Sequence, residues 1–114
     1  MKTFLALYMG SASPQERAAA PRLSKEAEAA GMKAWGDWMA KNAAAVVEGG
    51  GPLGKTKKVS KSGVSDISNA VAAYVVVQAE THEAAARMFE GHPHFSIFPG
   101  DSVEIMEQLP IPGT

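Results

Sequence analysis

The sequence contains no cysteine. Disulfides, thiolate metal sites and a cysteine nucleophile are therefore excluded. Aromatic residues are scarce at 7%, and there are 3 histidines, so rings that could stack on a ligand or carry a proton are few. No apolar run approaches the ~20 residues that a membrane helix needs. Neither sign of charge dominates. Against 11 basic residues stand 12 acidic ones, a balance that argues against a nucleic-acid binder.

What is present suits one packed domain. The 114 residues are 46% hydrophobic, which points to a globule rather than a disordered chain. That length fits a single domain over residues 1–114 and leaves little room for a separate cofactor domain. No cofactor, nucleic acid or membrane partner is expected.

The opening MKTFLALYMGSAS has the outline of a secretion signal. Lys2 stands at the positive end, Thr3 to Met9 form the apolar stretch, and Ser11-Ala12-Ser13 imitates a cleavage site. The rival reading is a buried first strand. It is preferred, because cleavage would remove a strand that the rest of the sheet needs, and the expected location is cytoplasmic.

Residues 3–9 form a continuous apolar run too short for a helix, so they read as a strand covered on both faces. Residues 10–23, rich in Gly, Ser, Pro and Ala, read as a mobile loop. Residues 24–47 read as the main helix. Ser24 is its N-cap, and Ala27, Met32, Trp35, Trp38, Met39, Asn42 and Val46 form its apolar stripe. Gly49, Gly50 and Gly51 read as its stop.

Residues 55–61 read as a polar second strand whose lysines guard an exposed edge, and 62–69 as a turn. Residues 70–79 read as a central strand, apolar on both faces. Thr81 caps a short helix over 81–90 that ends at Gly91. Residues 92–100 read as a loop, 102–109 as a last strand exposed on one face, and 110–114 as a loose tail.

The order is βαββαβ. The first and third strands are the doubly apolar ones, and in a ferredoxin-like sheet those two lie at the centre. The fold class is therefore α+β, with a four-stranded antiparallel sheet and the helices on one face. Two helices cannot cover the other face. A second copy packing sheet against sheet is the simplest cover, so a homodimer is expected.

At this point the chain resembles the YCII-related family, within the dimeric α/β-barrel superfamily. The matching pieces are MKTFLALYMG, AWGDWM, GGGPLGKTKKV, AAYVVVQAET, EAAARMFEGHPHF and SVEIMEQLP, in order along nearly the whole chain. The resemblance implies a dimer with a cavity between the facing sheets or at the rim between sheet and helices. Two departures count. The Asp-Gly-Pro-Phe run found in many relatives is replaced by SGVSDISN, and the first helix carries no histidine. A His–Asp catalytic pair does not carry over.

Gly49 to Thr56 fit the nucleotide-loop pattern GxxxxGK[ST]. That pattern works where a strand leads through a loop into a helix N-terminus. The order read here is reversed, so a glycine stop and a turn are preferred. His92 and His94 flank Pro93. They could act as acid and base or as polar loop residues, and no metal site is expected from two ligands at this spacing. His92 is preferred as the proton carrier, with Tyr8 or Asp66 assisting. Tyr8, Trp35, Tyr74, His92 and His94 are the expected ligand-binding residues, although tyrosines and tryptophans at such positions also serve as core.

The function expected is binding of a small apolar or aromatic metabolite. Cofactor-free acid/base chemistry of the isomerase or lyase type could accompany it. The alternative is a non-catalytic regulatory or protein-interaction module.

Overall fold

The computed structural model describes residues 1–10, 24–96 and 100–112. The loop expected over 10–23 lies, beyond Gly10, outside the described residues, and so does the end of the expected tail.

Strand β1 (Lys2–Gly10) is followed by helix α1 (Lys25–Lys41), then by strands β2 (Val46–Pro52), β3 (Thr56–Ser60), β4 (Gly63–Ile67) and β5 (Val71–Ala79). Helices α2 (His82–Arg87) and α3 (Pro93–Ser96) precede the last strand, β6 (Gly100–Glu107). Four strands form an antiparallel sheet in the order β2-β5-β1-β6. This is the expected ferredoxin-like arrangement, with the two doubly apolar strands, β1 and β5, at its centre.

Strand alternation divides the side chains between two faces. Phe4, Ala6 and Tyr8 of β1, with Val75, Val77 and Ala79 of β5, are buried on one face. Ala85, Phe89 and Trp38 cover them from the helical side. Full burial of a side chain such as Phe4 contributes about 1.5–3 kcal/mol. The other face carries Leu5, Leu7 and Met9 beside Tyr74, Val76 and Met106, with Glu48 and Glu104 on the outer strands. Among the described residues nothing packs over these side chains as a layer, and they stay half-exposed or exposed.

Helix α1 begins where expected. Ser24 accepts from the Ala27 amide at 3.1 Å, and Glu26 and Glu28 complement the positive end. Its end is a correction: the helix stops at Lys41, not at residue 47. Asn42 turns the chain, bonding through Nδ2 to the Trp38 carbonyl at 2.9 Å. Val46, Val47 and Glu48 then join β5 in the sheet, where the β-branched pair is at home. Met32, placed in the apolar stripe, is 70% exposed.

The second strand of the sheet is thus Val46–Pro52, not the lysine-rich 55–61. The three glycines do not stop a helix; they lie inside this strand and make a bulge. Glu48 pairs with Val76 and Gly51 with Tyr74, so two residues oppose Val75 alone. Gly50 takes φ +63° there, and a Cβ on it would meet the Tyr74 carbonyl oxygen at 2.0 Å. Strand, turn and strand follow one another from Gly49 to Thr56 with no helix after the loop, so the segment does not build a nucleotide loop.

The lysine-rich segment is β3, and the expected turn at 62–69 contains β4. The two form a separate hairpin, with Lys57 opposite Asp66 and Val59 opposite Val64. It prolongs the β2–β5 ladder beyond the sheet and is exposed along almost its whole length. The region read as a loop at 92–100 includes helix α3.

Candidate functional site

Strand β1 delivers Tyr8 to the helical face near its C-terminal end. Helix α1 places Trp35 and Trp38 one turn apart above it. The segment after α2 adds Phe89, then Gly91 at φ +68° turns the chain inward so that His92 and His94 enter the core. The result is a cluster of rings around His92. Its centroid lies 4.5 Å from that of Trp35, 4.7 Å from Trp38, 5.0 Å from Tyr8 and 6.0 Å from Phe89. Trp35 also packs on Tyr8 at 4.7 Å.

His92 is wholly buried, and Tyr8 and His94 nearly so. Buried polar groups are costly unless bonded, and here each bond can be traced. Nδ1 of His92 receives the backbone N–H of His94 at 3.0 Å. That nitrogen carries no hydrogen, so the neutral ring holds its proton on Nε2. Nε2–H then donates to the Tyr8 hydroxyl at 3.2 Å. The hydroxyl accepts this bond and keeps its own hydrogen available as a donor.

His94 is set differently. Its Nε2 lies 2.8 Å from the Met9 carbonyl, which can only accept, so Nε2 bears the hydrogen and Nδ1 the lone pair. Among the described residues no donor meets that Nδ1. His82, the third histidine, stands apart, donating from Nε2 to the Ile105 carbonyl at 2.7 Å and packing on Phe4.

The electrostatics follow from this wiring. Burial, and secondarily the nearby His94, lower the His92 pKa from 6.5 to about 4. A charged His92 would also need a hydrogen on Nδ1, where the His94 amide already points. Burial pushes the Tyr8 phenol above its ordinary range. At neutral pH the pair is therefore an uncharged imidazole behind an uncharged phenol, a hydrogen-bond donor in apolar surroundings.

The structure thus gathers Tyr8, Trp35, His92 and His94 at one place. It does not bring Tyr74 or Asp66 there. Tyr74 lies on the opposite face of the sheet, where its hydroxyl donates to Glu48 Oε1 at 2.7 Å, a bond that raises its pKa. Asp66 is exposed on the hairpin and pairs with Lys57 at 2.6 Å. His92, the preferred proton carrier, has both nitrogens engaged, and among the described residues it is His94 whose Nδ1 meets no donor. Trp38, expected as core with a pocket wall as the alternative, and Phe89, expected as core, both wall the histidine. Phe89 precedes His92 by three residues, the one hint in the sequence. Trp38 has no such hint, because its place depends on its Nε1–H bond to the Met88 carbonyl at 3.0 Å. Among the described residues no group of three His, Asp or Glu side chains gathers as a metal site would, and no helix is long and apolar enough to cross a membrane.

The comparisons place this architecture. No family model matches the chain, and no curated protein matches it in sequence. A solved structure does match in fold: 5-chloro-2-hydroxyhydroquinone dehydrochlorinase from Burkholderia phenoliruptrix AC1100, in complex with 2,5-dihydroxybenzoquinone. The TM-score is 0.54 at 14% identity, covering 96% of this chain and 94% of that one. At that identity the likeness speaks for a shared ferredoxin-like fold alone, and chemistry does not follow from it.

Proposed function

We propose that the Tyr8–His92–His94 cluster binds a small, planar, oxygen-bearing aromatic molecule and performs cofactor-free acid/base chemistry on it. The observation that carries this reading is the wiring of three polar groups inside a shell of rings. His92 orients Tyr8 as a donor, and His94, within a 5.2 Å ring separation of Tyr8, keeps a lone pair on Nδ1 that no donor meets among the described residues. A ligand oxygen suits the Tyr8 hydroxyl, and a ring suits the Trp35 face. In the reaction, His94 Nδ1 takes a proton from a carbon or hydroxyl next to a carbonyl. Tyr8 holds the oxygen on which negative charge develops. The proton returns elsewhere in an isomerisation, or a leaving anion departs in an elimination. The fold neighbour is named for a dehydrochlorination, which is an elimination, and holds a dihydroxylated quinone, so that ligand class is the first to try.

The active form in this reading is a homodimer joined through the open sheet faces. Leu5, Leu7, Val76 and Met106 form an apolar surface that a two-layer chain leaves uncovered.

One observation favours the second reading, a non-catalytic interaction module: His92 and Tyr8 are sealed from solvent within the described residues. Calorimetric titration with 2,5-dihydroxybenzoquinone separates the two. The first reading expects saturable binding, weakened about tenfold or more in Tyr8→Phe, in line with the loss of one buried hydrogen bond. No binding of this quinone or of hydroquinone analogues, in a folded protein, leaves the module reading standing.

A further inference from the structure

The β3–β4 hairpin has no role in the proposed site. A two-stranded hairpin in water is marginal by itself and holds when something packs on it. This one leaves Val59 77% and Val64 67% exposed as a cross-strand pair on one face. Five residues per strand carry it about 17 Å beyond the sheet. Its charge is also lopsided. Residues 55–67 hold four lysines against one aspartate, while the rest of the chain holds 11 carboxylates against 7 basic side chains. Among the described residues Lys55, Lys58 and Lys61 form no ion pair, and Glu104 on the open sheet face forms none. A basic arm and an acidic body on one chain are complementary between two copies of it.

We propose that the hairpin is an arm that docks on a second copy of this chain, with Val59 and Val64 at the rim of the apolar open face, outside the sheet-to-sheet contact, and its lysines toward the carboxylates flanking it. The proposal rests on the sheet-face dimer and adds to it a second, charged contact that sets the pairing. In a two-fold dimer each arm embraces the other copy, so each contact occurs twice.

Sedimentation over a concentration series tests both ideas separately. A wild-type chain that stays monomeric at high concentration overturns the dimer and the arm together. If the wild type dimerises and Val59→Asp/Val64→Asp dimerises equally well, the arm is overturned and the sheet-face dimer survives. The arm expects that double variant, whose altered side chains are exposed, to dissociate at least about tenfold more readily, with an unchanged circular dichroism spectrum. It also expects Lys61→Glu to weaken the dimer and Glu104→Lys to restore it; failure of that rescue overturns the charged contact. A check independent of any variant is amide exchange at residues 57–66 of the wild type. Protection that rises with protein concentration supports the arm, and protection that ignores concentration overturns it.

Discussion

His92 owes its neutrality to burial first and to the nearby His94 second, and its tautomer to a single backbone amide. Because His94 N–H occupies Nδ1, the neutral ring hands its one hydrogen to Tyr8. The cost appears in acid. In the unfolded chain the imidazole protonates near 6.5, and in the folded protein only near 4. Between those values the unfolded state binds more protons, so stability falls as pH falls. The contribution is fully present above about pH 6.5 and lost progressively toward pH 4. At ~1.4 kcal/mol per pH unit the loss is on the order of 3 kcal/mol. Thermal unfolding of the wild type is expected to shift steadily downward across that window. His92→Asn, which still offers an acceptor to the amide but does not titrate, should flatten the slope between pH 4.5 and 6.5 (chosen as about the range above most carboxylate titrations).

At the scale of elements, the bulge in β2 is the most constrained feature. Gly50 combines a left-handed φ with a carbonyl where a side chain would begin. Gly50→Ala is expected to destabilise by about 1–3 kcal/mol, measured by urea unfolding, whereas Gly54→Ala, with open space around it, should change little. Thr81→Ala should cost about 1 kcal/mol in the same assay, because its hydroxyl caps the short α2 through the Ala84 amide. The bulge also explains what sequence reading could and could not reach. β1, β5 and α2 announce themselves through apolar runs and a cap. β2 does not, since a glycine triplet after a helix has the same composition as a helix stop, and only pairing with β5 distinguishes them. The hairpin was half legible: its lysines mark an exposed strand, but Val64 and Ile67 sit too sparsely among Ser, Gly and Asp to reveal β4. At the candidate site the residue types were legible one by one. The Tyr8–His92 contact, spanning 84 residues, and the use of Met9 by His94 through its carbonyl were not, because neither leaves a local pattern.

The whole molecule is thin. Its extents are 46 × 44 × 18 Å, the short one matching a single sheet and a single helical layer. The radius of gyration is 15.8 Å, against about 13 Å for a compact chain of this length. The apolar residues of the open face are the reason a second layer is expected. Leu7→Lys places a charge at the centre of that face while leaving the Phe4–Tyr8 side untouched. Light scattering should find the variant monomeric where the wild type is dimeric. A variant that still dimerises fully would mean that the sheet face is not the interface.

Both tryptophans of the chain, Trp35 and Trp38, touch the same imidazole. Tryptophan emission, excited at the red edge where tyrosine does not absorb, therefore originates entirely at the candidate site. An imidazolium accepts an electron from an excited indole far better than a neutral imidazole does. The unlabelled protein consequently carries its own optical probe: emission is expected to dim as His92 gains its proton, and the proposed binding of an aromatic molecule is expected to shift it.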